Sequence, residues 1–169
     1  LVVAGGVQNM SMIPIGMALE AAIPLGHDDP FSGSEGWVER YGTQEISQFR
    51  GAEMIAEKWD ISRGKMEEFA FESHQRASTA IDEGRFDNEI VPISQTEMDE
   101  GPRRDISMDR MSTLNPLVEG GRLTAALASQ ISDGAAALLI ASEKAVKEFG
   151  LTPRARIHHV SVRGDDPVF

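Results

Sequence analysis

Few side chains in this sequence have the type and spacing that bond-making chemistry needs. His27 beside Asp28 and Asp29 offers metal-ligating atoms, but three neighbouring loop residues do not shape a site without further ligands, so solvation is favoured. His158 and His159 are adjacent in a strand-like stretch and therefore point to opposite faces, while His74 falls on the polar side of a helical stretch. Cysteine is absent, which removes disulfides, thiolate metal sites and a thiol nucleophile from these residues. There is no Walker-type phosphate loop, dinucleotide glycine fingerprint or nucleophile-elbow pentapeptide. Two features remain. Arg103-Arg104 is an adjacent basic pair in the polar stretch 97–110 that could hold an anion. The run from Gly120 to Ala137 is rich in small residues that let a ligand, or equally a packed helix, come close to the backbone.

The elements that must position these residues follow from patterning. The stretch Leu1 to Ala4 reads as a buried strand that Gly5-Gly6 interrupts, and Met10, Met12, Ile13, Ile15 and Met17 read as core packing. Residues 24–42, with Asp28-Asp29-Pro30 and Ser32-Gly33-Ser34, form a long loop. Ala52, Ile55, Ala56 and Trp59 predict a short helix. Ser62 then caps a helix of roughly 20 residues with the stripe Met66, Phe69, Ala70, Ser73, Ala77, Ala80 and Ile81, and Gly84 ends it. Glu67, Glu72 and Gln75 are assigned to its solvated face. An extended segment over 86–93 follows, with Pro92 at an edge. A strand is predicted over 135–140, a helix over 143–149 between Ser142 and Gly150, and a last strand over 157–162. Strand, helical excursion, strand, helix, strand is the order of a layered α/β protein with an interrupted sheet.

Composition agrees with a globular chain of 169 residues, 41% hydrophobic and 25% charged. A net charge of −11 argues against broad attraction to nucleic acid or an anionic membrane. No apolar run approaches the roughly 18 residues of a membrane span, and the expected compartment is cytoplasmic. Both ends read as interrupted, so an internal segment of a longer protein is expected.

In the run Gly120-Gly121-Arg122-Leu123-Thr124-Ala125-Ala126-Leu127-Ala128-Ser129 through Ser132-Asp133-Gly134-Ala135-Ala136-Ala137, the sequence resembles the thiolase family. Ala4-Gly5-Gly6 with Asn9-Met10-Ser11 is similar to the strand end that follows the nucleophile helix in that family. Gln48-Phe49, Ala52-Glu53, Ile61-Ser62-Arg63, Gly84-Arg85-Phe86 and Glu89 to Ile93 are similar to its loop domain. The resemblance covers the whole chain, yet less than half of a complete thiolase. It implies an incomplete thiolase-like α/β fold: residues 1–12 as the end of the N-terminal half, 13–122 as an inserted, mostly helical loop domain covering CoA, 123–152 as the return to that half, and 153–169 as the start of the C-terminal half.

The family's reaction is a Claisen condensation or its thiolytic reverse through a cysteine acyl-enzyme, with a second cysteine and a histidine moving protons. None of those residues is in this chain, so the resemblance implies binding groups only. Ser129, with Thr124, Ala125 and Ala128, matches the segment along the pantetheine arm of CoA. Arg103 or Arg104 matches a loop arginine near the nucleotide end, and Gln48 stands near the acyl thioester. CoA is a co-substrate and no cofactor or metal is implied; the implied partners are acyl-CoA, CoA and a second or further copies of the full-length chain. Leu127, where biosynthetic members carry asparagine, and Gln48-Phe49 favour degradative 3-ketoacyl-CoA thiolysis in fatty acid β-oxidation. Acetoacetyl-CoA synthesis and a non-catalytic CoA-binding protein are the alternatives.

Overall fold

The structure is a computed structural model that describes every residue except Asp28, Pro30 and Ser32, so the solvation expected of Asp28 beside His27 lies outside the described residues. It divides into two compact units, Leu1–Gly33 with Ile131–Asp166, and Ser34–Gln130 with Pro167–Phe169.

The first unit is built on β1 (Val2–Gln8) and β2 (Gly134–Ile140), paired antiparallel from Val2↔Ile140 to Gln8↔Gly134. The interruption expected at Gly5-Gly6 does not occur, because the glycines lie in the ladder opposite Ala137 and Ala136. A Cβ on Gly5 would come within 2.6 Å of the Ala136 carbonyl oxygen, so the close approach that glycine permits is between two strands. The side chains of both strands are exposed, where burial was expected for Val2 and Val3. Helix α1 (Met17–Ala22) starts after Gly16 in the left-handed region, and the apolar side chains around it, Met12, Ile13, Ile15 and Leu19, are exposed instead of forming core. Helix α6 (Glu143–Phe149) has the predicted ends: Ser142 Oγ accepts the Ala145 N–H, and Gly150 turns left-handed at φ 60°. No strand forms over 157–162, and Val162 is 92% exposed. Local β-propensity there has no ladder partner among the described residues, and a strand exists only through its ladder.

The second unit holds α2 (Glu35–Tyr41), α3 (Gln48–Lys58), α4 (Arg63–Asp82) and α5 (Met108–Ser112). Serine hydroxyls cap all four: Ser34, Ser47, Ser62 and Ser107 accept N–H groups in the first turn. Asp60, at φ 47°, closes the end of α3, with the Ile61 N–H reaching back to the Ala56 carbonyl. The 20-residue α4 matches its prediction in extent but is rotated about its axis. Phe69, assigned to the apolar stripe, is 78% exposed, whereas Glu67, assigned to solvent, is 4% exposed. The inward face runs through Met66, Glu67, Ala70, Phe71, His74, Ala77, Ser78 and Ile81. Arg63 sets this rotation: its Nε donates to Glu67 Oε1 at 2.7 Å and its Nη2 to the carbonyls of Met111, Ser112 and Leu114 at the end of α5. Of the segment 86–93 predicted as extended, residues 86–89 form successive turns, and only Ile93 takes part in a bridge, with Thr96. Ala56, Met111, Leu123 and Val168 are the buried apolar residues of this unit.

Candidate functional site

The small-residue strip that the sequence singles out is fixed at its start by α3. Glu53 Oε1 accepts the backbone N–H groups of Arg122 and Leu123, each at 2.7 Å. Arg122 Nη1 donates to the carbonyls of Ala56 and Ile61 at 2.8 and 2.9 Å, satisfying acceptors at the C-terminal end of α3. The Leu117 N–H donates to the Leu123 carbonyl, and Thr124 forms a bridge with Pro116. A turn then closes with the Leu127 N–H on the Thr124 carbonyl at 2.9 Å.

Beyond this anchor, Ala125, Ala128 and Ser129 are exposed, and the Ser129 hydroxyl is open to a neutral hydrogen-bonding group. Thr124 differs: it is 0% exposed, and its Oγ1 has no hydrogen-bond partner among the described residues. Its place is beneath the strip. The far end is tied by Gln130 Nε2, which donates to the Gly101 carbonyl and so joins the strip to the loop that carries the two arginines.

That loop lies along α4. The Arg103 N–H donates to His74 Nδ1 at 3.0 Å, which requires that nitrogen to be unprotonated. Arg104 makes a two-pronged pair with Asp82, its Nη1 and Nη2 donating to Oδ2 and Oδ1 at 2.9 and 2.8 Å. These bonds hold the Asp82 carboxyl below the usual carboxylate range and raise the Arg104 guanidinium further. The Arg103 guanidinium is exposed and has no side-chain partner among the described residues. Two adjacent arginines thus have different employments, one committed to α4 and one available to an anion.

Gln48 stands apart from this strip, at the first turn of α3. With Ile46, Gly51, Ile55, Val168 and Phe169 it lines a cleft of about 330 Å³. Lys58 Nζ lies 4.1 Å from the centre of the Phe169 ring at the same end of the chain.

In the first unit, Asp133 joins two sequence motifs. The Ser11 N–H and Oγ donate to Asp133 Oδ1 and Oδ2 at 2.9 and 2.8 Å. The Ser11 backbone bond, then its hydroxyl bond, holds the Asp133 carboxyl below its ordinary value. Sequence reasoning missed the anchoring roles of Glu53, Arg122, His74 and Gln130. Only Glu53 and Arg122 had a signal, as charged residues placed among small or apolar neighbours. Among the described residues there is no group of three or more His, Asp or Glu side chains that could hold a metal ion, and no helix is long and apolar enough to cross a membrane.

The family model described as "Thiolase, N-terminal domain" matches residues 1–144. A steroid 3-ketoacyl-CoA thiolase of Mycobacterium tuberculosis is 58% identical over 174 aligned residues, covering 100% of this chain and 42% of that protein. A 3-ketoacyl-CoA thiolase of Psychrobacter cryohalolentis is 43% identical, covering 68% of this chain and 32% of that protein. The crystal structure of the dimeric peroxisomal thiolase of Saccharomyces cerevisiae superposes with a TM-score of 0.68 at 30% identity, covering 88% of this chain and 38% of the yeast chain. The chain therefore spans less than half the length of these proteins.

Proposed function

The chain belongs to the thiolase family, and we propose that the protein it forms part of cleaves 3-ketoacyl-CoA thioesters with CoA. The observation that carries this reading is the family match over 1–144 together with the strip 125–129, held at both ends, in which Ala125, Ala128 and Ser129 are small and exposed. In this reading the inserted, mostly helical loop domain 13–122 covers CoA, and the strip lies along the pantetheine arm. The Ser129 hydroxyl donates to an amide carbonyl of that arm, with Ala125 and Ala128 leaving it room. Arg103 meets a phosphate of the nucleotide, since Arg104 is occupied by Asp82. Gln48 faces the acyl end through its cleft on α3. These 169 residues contain no cysteine, so acyl transfer to a thiolate falls to residues outside them. A cytoplasmic, dimeric or tetrameric enzyme is the accompanying reading, and the dimeric yeast neighbour supports the association.

The 58% identity across the whole chain to a protein named for steroid substrates, against 43% over 68% of the chain to a general 3-ketoacyl-CoA thiolase, favours a bulky, ring-bearing acyl group. The test is thiolysis by the full-length protein, comparing straight-chain and ring-bearing 3-ketoacyl-CoA esters. Cleavage that depends on CoA, with the higher kcat/KM on the ring-bearing ester, is expected. No cleavage of either ester overturns the activity, and preference for the straight chain overturns the substrate class.

A further inference from the structure

Glu53 lies outside the strip proposed to meet CoA, yet its carboxylate determines where that strip starts. Arg122 is attached to α3 in two separate ways. Its guanidinium grips the carbonyls of Ala56 and Ile61, which fixes the residue's position. Its backbone N–H, with that of Leu123, converges on the single oxygen Glu53 Oε1. Two successive amides aimed at one point fix the direction of the backbone, because the peptide plane between them cannot rotate without losing one bond. The guanidinium grip alone leaves the chain free to pivot about a long side chain. The direction is then passed on through buried Leu123 and Thr124 and the Thr124–Leu127 turn, which leaves Ser129 two residues beyond.

Gly121 provides an independent sign that this junction is fitted closely. A Cβ there would lie 2.6 Å from Glu53 Oε1 and 3.0 Å from the Val118 carbonyl oxygen. Any side chain at 121 therefore pushes the carboxylate away from the amides it holds.

We propose that Glu53 is a positioning residue for CoA: by holding the Arg122 and Leu123 amides it aims the strip 125–129 at the pantetheine arm. The proposal rests on the CoA-binding reading above. Its signature is a change in CoA binding without a matching change in turnover, since Glu53 acts through the Arg122 and Leu123 amides and lies outside the strip assigned to CoA.

The experiment uses the full-length protein with Glu53→Ala, Glu53→Gln and Gly121→Ala, and measures CoA binding by calorimetry, KM and kcat for thiolysis, and amide exchange at Arg122 and Leu123. Glu53→Ala is expected to weaken CoA binding and raise its KM by about tenfold, with kcat within about twofold of wild type and with faster exchange of both amides. Glu53→Gln keeps a carbonyl oxygen as acceptor and should restore most of the affinity. Gly121→Ala, with Glu53 intact, should shift KM in the same direction, and it keeps the test available if Glu53→Ala fails to fold. Unchanged CoA affinity in a folded variant whose amides exchange faster overturns the proposal, as does an equal fall in all kinetic parameters that Gln does not rescue. Absence of CoA binding by the wild-type protein instead overturns the underlying function, and the wild-type arm separates the two failures.

Discussion

In the unit built on β1 and β2, seven backbone pairs form a regular ladder while Val2, Val3, Val7, Leu138, Leu139 and Ile140 stay exposed. In the unit built on α2 to α5, cohesion comes from side chains that reach the backbone: Arg63 to three carbonyls, Arg122 to two, and Glu53 to two amides. The stretch richest in strand-forming apolar residues therefore shows its side chains, whereas the charged stretch buries Glu67. Apolar content says which residues seek cover, but it does not say how a given region is held. Backbone ladders tolerate side-chain change as long as Cβ atoms fit, whereas polar brackets depend on single residues.

The largest effect that would sharpen this contrast is expected at Arg63. Arg63→Ala leaves a buried Glu67 without its partner and takes a donor from three carbonyls, of which Met111 keeps the Leu114 N–H, and should cost about 3 kcal/mol in denaturant unfolding of the full-length protein. Pairing Arg63→Met with Glu67→Met should recover most of that loss, and a loss below about 1 kcal/mol for Arg63→Ala would remove the bracket as the explanation. The ladder is expected to respond only to fit. Gly5→Val, with its Cβ against the Ala136 carbonyl, should cost about 2 kcal/mol, while Gly6→Ala, where nothing lies within 4 Å, should stay within about 0.5 kcal/mol. Equal effects at the two glycines would break the comparison.

A smaller effect, seen as a pH dependence, is expected at Asp133. Its carboxyl is depressed in the folded state by the bonds from Ser11, so its contribution is complete above the ordinary value of 3.8 and is lost as pH falls through the lower folded value. Asp133→Asn should flatten that part of the acid limb, measured by melting temperature between neutral pH and acid. A limb identical in slope to wild type would assign the loss to other carboxyls, such as Asp82, whose pair with Arg104 has the same sign. The smallest effect is expected at Asp60. Its positive φ suits glycine, so Asp60→Gly should stabilise by about 0.5 kcal/mol in the same unfolding assay.

The sequence was most informative where the signal is local. Ser62, Ser142 and Gly150 mark helix ends through bonds within one turn, and the structure has those ends. The rotation of α4 was hidden, because Glu67 is turned inward by an arginine whose other partners lie 48 to 51 residues away. A helical pattern that assigns every glutamate to water cannot register that. The strip 120–129 was legible as a place of close approach, while of its anchor only a charge at Glu53 among small and apolar neighbours showed, since a glutamate accepting distant amides leaves no periodic trace. The segment 157–162 was overread for the opposite reason: its composition is strand-like, and composition supplies no neighbour to pair with.

The bond from Ser11 to Asp133 spans 122 residues, and the pairs of the ladder it adjoins lie further apart still, from Gln8↔Gly134 to Val2↔Ile140. Closing a flexible loop of that length costs entropy that grows as its logarithm. If the residues in between first collapse into their own unit, the loop left to close is shortened to a few tens of residues, and roughly 1 to 2 kcal/mol of that cost is removed from the step that pairs the strands. On that order of events the pairing of β1 with β2 comes late in time, although it is the simplest element in space. Its rate of formation is governed by how well the excursion folds, so a variant that loosens Arg63 should slow the zippering of two strands it never touches.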